Sequence, residues 1–339
     1  MLRKWSILSI VVGGSSALWA GIGWSKSPVY DNPAQVDADY ALQGEYTGIT
    51  GPDHDQLKVG MQVIAFGNGK LRAVMYRGGL PGDGWNKGAR LEAEATLQGG
   101  KDLVFEQSHM RAVLRDGKIH FHLETITADD PTHEGILNRI VRESPTLGKK
   151  APHGAVVLFD GTSADPWTDD AGKPVAMVDG LLPHGIRSKA RFQNHYLHLE
   201  FRTPYHPFDV GQHRGNSGLY LQGRYELQIL DSFGLSGEQN ECGGVYSIAR
   251  PEENMCYPPL QWQTYDVYFT AAKFHEGGRQ RKPARATILH NGVVIQDNLE
   301  LPTHTGGNPL PAGPEPGFIY LQDHGNLVRF RNIWVLEIP

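Results

Sequence analysis

Short runs in which apolar and polar residues alternate, separated by glycine-bearing turns, recur from Lys58 to the end of the chain. A two-residue period puts successive side chains on opposite faces of an extended strand, so each run has an apolar face that must be covered. In the first half, Lys58 to Phe66 alternates through Val59, Met61, Val63 and Ala65, and Gly67-Asn68-Gly69 turns into Lys70 to Tyr76. Arg90 to Leu97, Leu103 to Gln107, Met110 to Arg115 and Lys118 to Thr125 continue the meander, with Asp116-Gly117 as a tight turn. In the second half such runs recur to Val328–Glu337, and Asn291-Gly292 predicts a hairpin between two of them. Strands at this spacing, without a strong helical period, predict an all-β chain whose second half is an antiparallel sandwich. The 41 glycines, 22 prolines and 13 tyrosines fit turns and strands better than long helices.

The 339 residues suffice for about two domains. Residues 1–24 read as a signal peptide, with Arg3 and Lys4 ahead of an apolar stretch thinned by Gly13, Gly14, Ser15 and Ser16. The competing reading is an uncleaved anchor, since the stretch nears the ~20 residues of a spanning helix. Either way the chain is expected to be exported, to periplasm or outside, with no stable membrane span once the signal is cleaved. Residues 25–36 read as a linker, 37–150 as a small β-rich domain and 151–339 as the sandwich. A formal net charge of −5 with both signs interspersed gives no basic surface for nucleic acid. Export permits a disulfide between Cys242 and Cys256, while two buried thiols is the other reading.

Certain pieces of the second half are more specific than their strand pattern. Val157-Leu158-Phe159-Asp160-Gly161 opens it, and Asn216-Ser217-Gly218-Leu219-Tyr220-Leu221 precedes Tyr225-Glu226-Leu227-Gln228-Ile229-Leu230-Asp231. Gly244-Val245-Tyr246 follows, then Leu321-Gln322-Asp323-His324-Gly325 and Val328-Arg329-Phe330-Arg331-Asn332-Ile333. In this order, over about residues 155–338, they resemble the 3-keto-disaccharide hydrolase domain family. The resemblance implies a concanavalin-A-like sandwich of jelly-roll type and a substrate that is a glycoside oxidised at C3 to a ketone. The first half resembles a β-rich segment that precedes this domain in some members.

In the strand from Tyr225, Glu226 and Gln228 share one face while Leu227 and Ile229 share the other. Asp231 reaches the polar face only through a bulge. The run is similar to the Glu-x-Asp-x-x-Glu strand of sandwich-fold glucanases, but Gln228 stands where the middle acid would be. That argues against double displacement, which needs two carboxyls at fixed separation. Glu226, Asp231 and His324 are the candidate catalytic residues. A histidine side chain titrates near neutral pH and suits proton transfer.

Candidate substrate-binding residues are Glu200 and Arg202 on one strand face, Asn216, Gln228 and Tyr246, Trp262 as a stacking platform, Gln322 and Asp323 at a strand end, and Arg331 as a holder of Glu226 or of a keto oxygen. Trp85, after a glycine-rich turn, either meets a ligand or plugs a sheet end. None of the 15 histidines, His120 and His122 included, has metal-ligand spacing, so no metal or other cofactor is expected; a carboxylate-bound hard cation would leave no short motif. Two other readings stay open: a lectin-like carbohydrate-binding module and a conventional sandwich glucanase.

Overall fold

The computed structural model describes residues 27–97, 102–124 and 132–339; the signal-peptide reading of residues 1–24 lies outside them. Helix among the described residues is confined to three short 3-10 turns, Pro33–Gln35, Ala38–Ala41 and Gly211–His213. No described helix is long and apolar enough to cross a membrane.

The N-terminal domain is one antiparallel sheet of eight strands: β1 Gly44–Thr50, β2 Leu57–Ala65, β3 Lys70–Arg77, β4 Leu91–Thr96, β5 Leu103–Gln107, β6 Met110–Arg115, β7 Lys118–Leu123 and β8 His133–Ile140. Their order is β4-β3-β2-β1-β8-β7-β6-β5, and the edge strands β4 and β5 come together, so the sheet rolls into a barrel. The alternation seen in the sequence fills it: Val59, Met61, Val63, Ala73, Phe105, Ala112, Ile119 and Phe121 meet in one core.

The C-terminal domain has thirteen strands: β9 Val156–Phe159, β10 Trp167–Asp169, β11 Ile186–Ser188, β12 His195–Arg202, β13 Ser217–Leu221, β14 Tyr225–Ile229, β15 Gln263–Thr270, β16 Lys273–Phe274, β17 Gln280–Lys282, β18 Ala284–His290, β19 Val293–Leu301, β20 Tyr320–Leu321 and β21 Arg329–Glu337. A five-stranded sheet, β10-β11-β20-β13-β14, faces a six-stranded one, β19-β18-β15-β12-β21-β9. Leu219, Leu227 and Ile229 from the first meet Leu197, Leu199, Phe201, Val267 and Phe330 from the second. The sandwich is therefore the arrangement that buries both apolar faces at once. Asn291 and Gly292 join β18 to β19 with φ of 50° and 80°, the left-handed pair a two-residue hairpin requires.

The two domains share packing. Tyr205 and Leu260 of the sandwich enter the barrel core, and Phe233 packs on Ile64, Val74, Tyr76 and Leu80. Trp85 meets Tyr76 edge-on beside that cluster, which makes it part of a plug at the sheet end. The segment before the barrel is also held: Tyr30 pairs by backbone with Tyr205, and Arg329 donates to Asp31.

Candidate active site

On β13 and β14, Leu219, Leu221, Tyr225, Leu227 and Ile229 point into the sandwich core. Gly218, Tyr220, Glu226 and Gln228 therefore point outward, with Gly218 opposite Gln228 and Tyr220 opposite Glu226. This outer face is roofed rather than open. Residues 243–246 run beside β14, with Gln228 N donating to Gly244 O and Tyr246 N to Glu226 O. Thr305–Gly307 close another side, and Thr305 Oγ1 accepts from Glu226 N at 2.9 Å. What remains is a cleft of about 270 Å3 lined by Gln212, Asn216, Tyr220, Glu226, Gln228, Tyr246, Gln322 and His324, with Gly306 and Gly307. A larger hollow of about 930 Å3 lies on the barrel surface, but its charged groups pair with one another, as His122 does with Glu134 at 2.7 Å.

Glu226 is 4% exposed. Burial raises its carboxyl to about 7, and the Tyr220 hydroxyl at 2.8 Å from Oε2 lowers it only in part. The hydrogen-bond inventory points the same way. The Tyr220 oxygen has Glu226 Oε2 at 2.8 Å, Gly306 O at 3.0 Å and Gln322 Nε2 at 3.2 Å. A phenol has one proton. With Glu226 ionised, two acceptors compete for it and one is left facing oxygen. With Glu226 protonated, its O–H donates to Tyr220, Tyr220 donates to Gly306 O, and Gln322 donates to Tyr220, so every contact carries a proton. Gly218 makes room for the acid: a Cβ there would lie 2.5 Å from Glu226 Oε1.

A second network fixes Gln228, which is 1% exposed. Asn216 Nδ2 donates to Gln212 O, an obligate acceptor, at 2.8 Å. Asn216 Oδ1 thus faces Gln228 and accepts from its Nε2 at 3.0 Å, while Gln212 Oε1 accepts from the same nitrogen at 3.2 Å. Gln228 Oε1 is left buried and without a partner, as is Gln322 Oε1. His324 stands exposed at the cleft mouth, and Tyr246 is half-buried on the wall.

The cleft belongs to a domain with relatives. Residues 154–336 match the model of the 3-keto-alpha-glucoside-1,2-lyase-like domain, over half the chain. The chain is a member of that family. A solved structure of a candidate glycosyl hydrolase from Parabacteroides distasonis ATCC 8503 is 33% identical, with a TM-score of 0.51, covering 56% of this chain and 85% of that one. A second candidate glycosyl hydrolase from the same organism is 18% identical with a TM-score of 0.41, covering 55% of this chain and 95% of that one. No curated protein matches. The family domain and the 33% identical structure support a glycoside hydrolase-like enzyme on an all-β sandwich.

Within this family domain the structure gathers six of the residues singled out from the sequence: Asn216, Glu226, Gln228, Tyr246, Gln322 and His324. The other six lie elsewhere. No bulge turns Asp231 outward; β14 ends at Ile229, and Asp231 is buried against Arg214 Nε at 2.7 Å. Asp323 points away from Gln322 and His324, its Oδ1 accepting from Gly325 N and lying 3.1 Å from His184. Glu200, Arg202, Trp262 and Arg331 do meet, but on the outer face of the opposite sheet. Arg331 Nε donates to Glu200 Oε2 at 2.7 Å, so it holds Glu200 and not Glu226. The Arg331 and Arg202 guanidiniums lie 4.0 Å and 5.2 Å from the Trp262 ring centre. Burial would raise Glu200, but hydrogen bonds from His198, Asn332, Arg331 and Gly148 N hold it down at about 2. That is a structural charge cluster, since the core separates the two outer faces.

Tyr220, Gln212 and the Gly306-Gly307 turn were not singled out from the sequence. Tyr220 carried a signal, because it has the parity of Gly218 and lies in the same motif. Gln212 and the glycines come from loops, where no period marks direction. Cys242 and Cys256 are free, buried thiols. Among the described residues no group of three or more His, Cys, Asp or Glu is arranged to hold a metal ion.

Proposed function

We propose that the cleft cleaves 3-keto-glycosides by elimination across C1 and C2, followed by hydration. The observation that carries this reading is Glu226, a buried carboxyl that keeps its proton to about pH 7 in a polar cleft. A general acid needs that state, and positioned proton transfer contributes roughly 10²–10⁴ in rate. The family's name, a 1,2-lyase, fits the same bonds.

The C3 ketone acidifies the C2 proton, and His324 accepts it. The electron pair forms an enolate, whose oxygen the Tyr246 hydroxyl stabilises by donating to it. The enolate collapses to a C1=C2 enone as the C1–oxygen bond breaks, and Glu226 gives its proton to the leaving oxygen. Water then adds hydroxyl to C1, returning a proton to Glu226, while His324, exposed at the cleft mouth and exchanging its proton with solvent, protonates C2. Arg331 and Asp231 have no part, and the Gln228 nitrogen is already committed to Gln212 and Asn216.

Double displacement would need a second carboxyl beside Glu226, about 5–5.5 Å away across the scissile bond. Among the described residues lining the cleft, Glu226 is the one acid. The test is turnover of a 3-keto-glucoside in D2O. The expected product carries deuterium at C2; cleavage in which every C2 keeps its original hydrogen overturns the scheme. Action after export is part of the proposal, resting on residues 1–24. N-terminal sequencing of the secreted protein, expected to begin past that stretch, checks it.

A further inference from the structure

We propose that Gln228 and Gln322 are the specificity-determining residues of the cleft, their two side-chain oxygens each accepting a hydrogen bond from a hydroxyl of the bound sugar. The inference rests on the function proposed above and adds which groups of the substrate are read, and how the ring is turned.

Both amides line the cleft and both have their nitrogen ends occupied. Gln228 Nε2 serves Asn216 and Gln212, whose own bonds fix the direction of the amide. Gln322 Nε2 serves the Tyr220 oxygen, whose single proton goes to Gly306 O and which also accepts from the protonated Glu226. The amides cannot turn over without setting oxygen against oxygen. Their oxygens are thus held as acceptors, buried and without partners in the protein. A buried polar atom with no partner destabilises the protein, and such atoms in a cleft mark where a ligand completes the hydrogen bonding. The missing partners are donors, and a sugar's donors are its hydroxyls.

The ketone has no proton to give and is repelled from both oxygens. It must therefore turn to the donors of the cleft, which include the Tyr246 hydroxyl. The same two amides that bind the ring hydroxyls thereby exclude the wrong orientation. Discrimination is strong in such a site, because an analogue lacking the hydroxyl leaves the acceptor buried and unpaired.

The experiment is a cycle between protein and ligand. Kinetics are measured for a 3-keto-glucoside and its 2-, 4- and 6-deoxy analogues with wild type, Gln228→Leu and Gln322→Leu. For two of the analogues wild type is expected to lose on the order of ten- to hundredfold in kcat/KM. One of those losses should shrink to under about threefold in Gln228→Leu and the other in Gln322→Leu. Equal losses in all three proteins overturn the proposal. Gln322 is half-buried at a strand end, so its variant keeps the cycle measurable if Gln228→Leu fails to fold. If wild type turns over no keto-glycoside, the reaction is wrong and the cycle is run on calorimetric binding of 3-keto-glucose and its deoxy forms. Unchanged coupling there overturns the amide assignment alone, and no binding of any of them overturns both.

Discussion

Glu226 shows how one residue couples function to stability. Its folded value of about 7 lies above the ordinary 4.5. The folded protein thus binds this proton more tightly than the unfolded chain. The stabilisation is fully present below about pH 4.5 and is lost as pH rises through 7, at a cost of up to about 3 kcal/mol. Glu226→Gln is therefore expected to lose roughly 10²–10⁴ in kcat, yet to melt higher than wild type at pH 8 and equal to it near pH 4.5. Melting curves at the two pH values, beside turnover, check this; a Gln variant less stable at pH 8 would contradict the burial argument. Parity made Glu226 and Gln228 legible, since the faces of a five-residue strand follow from its apolar members. Asp231 has the parity of Leu227 and Ile229, and only Arg214, which no local pattern points to, explains why an acid sits there.

At the scale of elements, the outer faces of the two sheets have opposite characters. That of β12, β15 and β21 is polar in sequence but sealed by the segment between the domains. Gly148 N donates to Glu200 Oε1 at 2.6 Å, Thr146 Oγ1 to Asp266 Oδ2 at 2.7 Å, and His198 Nδ1 lies 3.0 Å from Asp266 Oδ1. Glu200 is held below its ordinary range, so its contribution is present above about pH 4.5 and is lost as pH falls through about 2. Glu200→Gln is expected to lower stability at pH 7 by about 2 kcal/mol, with the gap closing toward pH 2, while kcat/KM holds. Denaturant titrations and turnover of the variant check it, and a large loss of kcat/KM would place that cluster in the reaction. Alternation in the sequence showed which β12 side chains leave the core. It could not show that a distant segment covers them, because that packing has no periodic signature. The turns were the easier reading, since Asn291-Gly292 carries its left-handed geometry in its composition.

Across the whole molecule, barrel and sandwich are joined by groups that neither could bury alone. The Arg214 guanidinium pairs with Asp231, donates to Ala65 O at 3.3 Å from both terminal nitrogens, and lies over Phe66. Gln212 and Asn216, which orient Gln228, flank it in sequence. Heating is therefore expected to give one cooperative transition for both domains, and Arg214→Leu, which leaves Asp231 buried and unpaired, to cost about 3–5 kcal/mol. Calorimetry checks both; two resolved transitions in wild type would show that the domains unfold independently. The all-β character of both halves was legible from strand spacing alone. Their junction was not, because it is made by a backbone carbonyl and by Tyr205, Phe233 and Leu260, which look like ordinary strand and loop residues.

The most direct measurement compares one pair of substrates. Purified protein is given a 3-keto-glucoside and, separately, its unoxidised parent, with Glu226→Gln and His324→Ala alongside. Cleavage of the keto-glycoside at least a thousandfold faster than the parent, lost in both variants, is the expected result if C2 acidity drives the reaction. Equal cleavage of the two substrates by wild type, or an undiminished rate in Glu226→Gln, would contradict it.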